Sequence, residues 1–166
     1  TLPDNVHVMS TQSPETVLRE DLGVAFHGQG FAERAVMKNL ALRYPEPVPH
    51  MINVGILHTS VGGYADHDPY APCSVDDLRS KGYEYFALGH IHKREVLFEG
   101  KTTAAFSGNL QGRHVKETGP KGAYWVTLEQ GKRAGLEFVA LDEARWENLA
   151  IDLGPAEDLE EVLEMV

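Results

Sequence analysis

The sequence carries one cysteine, Cys73, among 166 residues. A lone thiol excludes an internal disulfide framework and fits a reducing cytosol, so a cytoplasmic protein is expected. Within Tyr70-Ala71-Pro72-Cys73-Ser74 it reads as a small buried hydrophobe rather than a nucleophile. No apolar run reaches membrane-spanning length and no charged-then-apolar signal segment opens the chain, so no membrane association is expected. Positive charge is also scarce. The chain has 15 Lys and Arg against 25 Asp and Glu, a net charge of -10 that disfavours wrapping a polyanion. The deficit is uneven, because between Lys93 and Arg133 eight basic residues (93, 94, 101, 113, 116, 121, 132, 133) face four glutamates (95, 99, 117, 129), a local excess of +4. Such a segment either attracts phosphate or is an ordinary solvated loop surface.

Hydrophobic content of 42% with near-average glycine, proline and charge describes a globular chain. Its length suits one domain, or a domain with an appendage, and is enough to bury a real core. The chain opens on Thr1-Leu2-Pro3-Asp4-Asn5 and ends at Val166; both ends read like the interior of a longer protein.

The most informative stretch is Leu88-Gly89-His90-Ile91-His92. Tyr85, Phe86, Ala87 and Leu88 form an apolar, aromatic-rich run suited to a buried strand, and Gly89 stands where the strand should stop. Two histidines then flank one residue, so their imidazoles converge whether they follow strand or tight-turn geometry. Neutral imidazoles bind Mn, Fe, Zn or Ni, and a Gly-His-x-His at the carboxyl end of a strand reads as a metal site as readily as a surface pair. Met51 to Leu57 is a second near-continuous apolar run, as for a central strand, and it delivers His58 at its carboxyl end. Ligands collect at carboxyl strand ends in layered α/β folds, and His58 and the His90/His92 pair occupy equivalent positions there.

Val6-Met9 is a short strand candidate. Thr16-Glu20 and Val24-His27 form a hairpin-like pair around Asp21-Leu22-Gly23, closed by Gly28-Gln29-Gly30. His27 reads as a tucked, hydrogen-bonded structural histidine. Ala32, Val36 and Leu40, flanked by Ala35 and Met37, recur at helical spacing and predict an amphipathic helix from Ala32 to Arg43, with Met37 in the core. Three prolines between Tyr44 and Pro49 end it. Thr59 to Pro72 is expected to be an irregular loop in which His67, between Asp66 and Asp68, is solvated rather than a metal ligand. Ser74 caps a helix over Val75-Ser80 with Asp77 three residues on, Lys81-Gly82 stops it, and this helix is the crossover between the two histidine-bearing strands. Short strands then follow at Glu95-Phe98, Thr103-Phe106, Ala123-Glu129, Leu136-Leu141 and Leu149-Leu153, an antiparallel meander punctuated by glycines. Asp158 to Val166 is a short acidic helix.

Ile56-Leu57-His58, the strand Tyr83 to His92, and Phe106-Ser107-Gly108-Asn109-Leu110-Gln111-Gly112-Arg113-His114 running into Glu117-Thr118-Gly119-Pro120-Lys121-Gly122 occur in the order found in one family. The chain resembles the second half of the calcineurin-like metallophosphoesterases, specifically DNA repair exonucleases of the SbcD type, over about residues 1–153. The Gly-His-x-His marks the superfamily; the glycine-rich segment favours the nuclease branch. The resemblance implies an α/β fold, a partial metallophosphoesterase sandwich followed by a β-rich antiparallel meander. It divides the chain into the second half of the core (1–92), its β-rich continuation (93–153) and the start of a helix or linker (154–166).

The resemblance further implies two divalent ions, usually Mn, that clamp a phosphate and activate a bridging water. By the matching motifs His58 and His90 would bind one ion and His92 the other; Arg113 and His114, beside Gly112, are either phosphate contacts or part of a turn whose glycines do the structural work. Glu117 would orient Arg113 or a backbone amide, and Trp146 would pack rather than stack on a base. The remaining ligands of the family come from Asp-x-His, Gly-Asp and Gly-Asn-His-Asp motifs, and none of these occurs here. The implied function is therefore part of a metal-dependent DNA exonuclease, with this portion inactive alone and a coiled-coil ATPase as partner of the whole enzyme. Alternatives are a calcineurin-like phosphodiesterase acting on other phosphoesters, and an interaction module that associates with itself.

Overall fold

A computed structural model describes residues 2–34, 36–62, 70–152, 154, 160–161 and 163. Its centre is a six-stranded mixed sheet. Strands β1 (Glu15–Arg19) and β2 (Val24–Gly28) form an antiparallel hairpin. Gly23 turns it at φ +66°, a conformation that costs glycine little. β2 then runs parallel to β3 (Ile52–His58), which runs parallel to β4 (Tyr85–Gly89). After β5 (Glu95–Phe98) the chain returns as β6 (Thr103–Phe106), which pairs parallel to β4 and antiparallel to β5. The sheet order is therefore β1-β2-β3-β4-β6-β5. Strands β7 (Gly122–Thr127) and β8 (Gly135–Ala140) form a separate antiparallel pair.

Both faces of the central sheet are covered, which explains why β3 and β4 read as near-continuous apolar runs. On one face Leu57, Phe86, Leu88, Ala104 and Phe106 pack with Leu40, Tyr44 and Leu78 from the irregular and helical layer. On the other, Val54, Tyr85 and Ala105 meet Tyr124, Val126, Leu128 and Leu136 of the β7–β8 pair and its turn. The result is a mixed α/β layered fold in which a small sheet lies on a larger one, consistent with part of a phosphoesterase-like sandwich. Helix α1 (Val75–Ser80) makes the β3-to-β4 crossover. Ser74 caps it reciprocally: its Oγ accepts from Asp77 N at 3.1 Å while Asp77 accepts from Ser74 N at 2.7 Å.

Several expectations are corrected. Among the described residues of 32–43 there is no α-helix, only a 3-10 turn at Ala41–Arg43. The carbonyl of Val36, which in a helix would accept from Leu40, accepts instead from Ala71 N at 2.6 Å. Tertiary pairing outcompetes the helical spacing, and Met37 is 61% exposed rather than in the core. Residues 6–9 are irregular, as are the described residues 149–152, so neither forms a strand. The carboxyl-terminal strands do not make one meander, because β6 crosses over to join the central sheet in parallel. In the terminal stretch Glu160, Glu161 and Leu163 are helical; His67 with Asp66 and Asp68 lies outside the described residues. No helix among the described residues is long and apolar enough to cross a membrane.

Candidate metal centre

The parallel register places His58 opposite Gly89, so β3 and β4 end level and hand their histidines to the same edge of the sheet. Gly89 makes room for this arrangement. A Cβ at that position would lie 3.2 Å from His58 Nδ1, so a side chain there would displace the ring. Beyond Gly89 the backbone turns sharply. His90 sits at φ +106°, a conformation that a non-glycine residue adopts only at a cost of about 1–3 kcal/mol. Ile91, 5% exposed, anchors the turn in the core and leaves the two flanking imidazoles outside it.

The structure brings His58 and His90 together, with ring centroids 5.1 Å apart in edge-to-face contact. Phe31 packs edge-on to His58 at 5.4 Å, and Tyr70 lies 5.0 Å from His90. These aromatic walls remove water from one side of the His58 imidazole. Its pKa is lowered, first by that desolvation and second by the nearby His92, so His58 is held in the neutral, metal-binding form.

His92 is exposed, but its ring is fixed. Its Nδ1 lies 2.7 Å from Glu117 Oε1. The same carboxylate accepts from Asn109 Nδ2 at 3.0 Å and from Arg113 N at 2.8 Å. Those bonds, with the Arg113 amide the largest contribution and His92 next, pull the Glu117 pKa down to about 2. An ionised carboxylate only accepts hydrogen bonds, so Nδ1 of His92 donates to it and, in a neutral ring, the lone pair lies on Nε2.

The loop that supplies Glu117 is held against the His-x-His turn by a second contact. Gly108, at φ +80°, passes so close to the turn that a Cβ would lie 2.7 Å from the His92 carbonyl oxygen. Sequence reasoning assigned Glu117 to Arg113 or a backbone amide. The Arg113 amide bond is present, but the bond to His92 was missed, and the only signal for it was an acidic residue inside a basic, glycine-rich segment. Asn109 was missed entirely; its Oδ1 is buried beside Glu117 with no hydrogen-bond partner among the described residues.

Arg113 and His114 are exposed. The main chain of Arg113 is one carboxylate away from His92, while His114 Nδ1 accepts from Lys116 N at 3.2 Å and caps its own turn. Trp146 packs against Gly112 and is 44% exposed. Part of the basic segment is used internally: Arg94 stacks 3.7 Å over the Phe138 ring and Arg133 pairs with Glu99 at 3.4 Å. Cys73 is buried, with Thr59 Oγ1 3.2 Å from its sulfur, and burial raises the thiol pKa, as for an inert thiol rather than a nucleophile.

The donor chemistry answers half of what a divalent transition ion needs. Imidazole is the right ligand, but among the described residues no three His, Cys, Asp or Glu side chains are grouped closely enough to hold an ion. Glu117, the carboxylate that contacts His92, is spent on orientation. Two clefts elsewhere on the surface are no substitute. One is lined by residues including Gln29, Glu33, Val36 and Arg43, the other by Glu84, Lys101, Lys132 and Arg133, and neither contains His58, His90 or His92.

Comparison with known proteins fits this geometry. No protein-family model matches the chain. It is 38% identical, over an alignment covering 99% of its own length, to an uncharacterised metallophosphoesterase, YhaO, of Bacillus subtilis (strain 168). The chain spans 41% of that relative's length. A likeness of this depth along practically the whole chain, in a protein that carries histidines at the ends of adjacent parallel strands, supports the metallophosphoesterase superfamily.

Proposed function

We propose that this chain supplies the imidazole ligands of a metal-dependent phosphoester hydrolase, and that the whole enzyme is a DNA repair exonuclease cleaving phosphodiester bonds. The observation that carries the reading is the meeting of His58 and His90, 5.1 Å apart at the level ends of β3 and β4, with His92 oriented beside them. When bound, two divalent ions, Mn in this reading, would polarise the phosphate and supply a hydroxide nucleophile. The residues here would hold those ions by neutral imidazoles. The anionic ligands that pair them would come from outside these residues, so the chain alone is inactive.

The DNA assignment rests on the glycine-rich segment that contains Gly108, Glu117 and Gly122, and on the exposed Arg113 and His114 beside it as phosphate contacts. A coiled-coil ATPase is the partner this reading implies, and the single buried thiol suits a cytoplasmic setting. A second reading, self-association of the isolated chain, is favoured by one feature. Trp125 is 68% exposed on the outer side of the two-stranded β7–β8 sheet, beside the exposed Val139. A sedimentation run showing only monomer at high concentration would remove it.

The test of the metal reading is calorimetry with Mn and with Zn on the wild-type chain and on the His90→Ala/His92→Ala double variant. Binding that disappears in the variant is the expected result, and equal heats in both would overturn it. Rapid nucleotide release from linear DNA by the chain alone with Mn would overturn the claim of inactivity. The substrate is read in a longer protein that contains this segment: efficient cleavage of a chromogenic phosphodiester with negligible action on DNA would replace the exonuclease reading by a phosphodiesterase of other substrates.

A further inference from the structure

The geometry points to Glu117 as the positioning residue that selects which nitrogen of His92 faces the candidate metal centre. The argument begins with the symmetry of a free imidazole. Either ring nitrogen can carry the proton, and the ring can flip, so an exposed histidine after a strand presents no fixed donor atom. His92 is exposed, at 55% of its side-chain surface, and its own backbone does not settle the matter. Glu117 settles it from 25 residues away in sequence.

Its Oε1 accepts a hydrogen bond from His92 Nδ1 at 2.7 Å, while Oε2 accepts from Asn109 Nδ2 and from Arg113 N. Both carboxylate oxygens are therefore occupied, and the group cannot rotate to release the ring. The backbone is secured by the same loop, because Gly108 lies against the His92 carbonyl where no Cβ fits. Ring and main chain of His92 are thus gripped together by the segment 108–117. Carboxylates that accept the distal proton of a ligating imidazole fix its tautomer and raise its basicity, and their loss typically lowers metal affinity about 10–100-fold.

The consequence for the sequence is that the glycine-rich segment is more than a phosphate loop. Its Glu117 carboxylate holds both the His92 ring and the Arg113 main chain. This inference rests on the reading of His92 as a ligand, but its first test needs no metal.

The test is a long-range proton–nitrogen correlation spectrum of the uniformly nitrogen-15-labelled chain, recorded where imidazoles are neutral. Wild-type His92 should show the Nδ1-protonated form. Glu117→Ala should pass to the Nε2-protonated form that free imidazole prefers, Glu117→Asp should keep part of the wild-type signature, and Asn109→Ala should keep most of it. A wild-type His92 already protonated on Nε2, or a signature unmoved in Glu117→Ala, overturns the inference. So does a full switch in Asn109→Ala, which would make loop order, not the carboxylate, the cause. The second measurement is Zn affinity: a loss of about 10-fold or more in Glu117→Ala is expected. Unchanged affinity beside a switched tautomer would overturn the ligand role of His92 and leave the orientation by Glu117 standing.

Discussion

Two regions of this protein each centre on histidine, and they use it in opposite ways. His27, on β2, is fully buried. Its Nε2 lies 2.9 Å from Asn53 Oδ1, an oxygen that also accepts from Val48 N, and its Nδ1 lies 2.9 Å from the Thr16 hydroxyl. The proton is therefore on Nε2, and the ring stacks on Tyr83 at 4.4 Å. Every polar atom of this imidazole is committed to the fold. At the strand ends, His58, His90 and His92 are half-buried or exposed, one of them on a strained backbone and another donating from Nδ1 to an external carboxylate. The interior histidine contributes stability. The strand-end group costs some, and is kept in place by Ile91, Gly108 and Glu117.

The largest effect that would break this contrast is at His27. Replacing it by Ala leaves Asn53 and Thr16 without their partner and opens a cavity under Tyr83, and about 3 kcal/mol should be lost in a urea titration. A loss below about 1 kcal/mol would mean that the interior ring is no more structural than those at the edge.

Acid should act on the same residue. Burial lowers the His27 pKa below the ordinary 6.5, against a smaller upward pull from the Asn53 hydrogen bond. The unfolded chain then takes up a proton at a pH where the folded one does not. The contribution is complete above the ordinary value and is lost as pH falls from there through the lowered folded value. His58 is shifted in the same direction, so both act in one window. The urea midpoint should fall as pH drops below the ordinary value of 6.5, and His27→Gln should flatten that fall more than His58→Gln. Equal flattening by both would erase the distinction.

Strain at the strand end is tested with a pair of variants that remove the same ring. His90→Gly should be more stable than His90→Ala by about 1 kcal/mol, because only glycine accepts φ +106° freely. The reverse order would show that the turn relaxes without cost. The smallest effect is expected at His92→Ala, within about 0.5 kcal/mol of wild type in the same titration, since the exposed ring supports nothing in the core. A cost equal to that of His27→Ala would turn the candidate site into ordinary structure.

Legibility in the sequence followed the range of the interactions. The strands ending at His58 and Gly89 were readable because apolar runs bounded by breakers need only local chemistry, as was the Ser74 cap with its partner three residues on. The predicted helix from Ala32 to Arg43 failed because its spacing fits a helix while the Val36 carbonyl is bonded to Ala71, beyond any local window. The expected antiparallel meander failed in the same way at β6, which pairs in parallel with β4 as well as antiparallel with β5. At the site, the sequence nominated His58, His90 and His92 by position on strands and by resemblance, but the direction of each ring was beyond it.

The sequence by itself determined where chain segments are extended, where glycines stop them, and which residues carry nitrogen donors, because those properties belong to single residues and their immediate neighbours. Only the tertiary structure decided that β3 and β4 run parallel and end level, that Gly108 lies under the histidine turn, and that Glu117 holds His92. Those outcomes depend on which distant surfaces share a core, and on that scale hydrophobic burial and backbone pairing outweigh local preference.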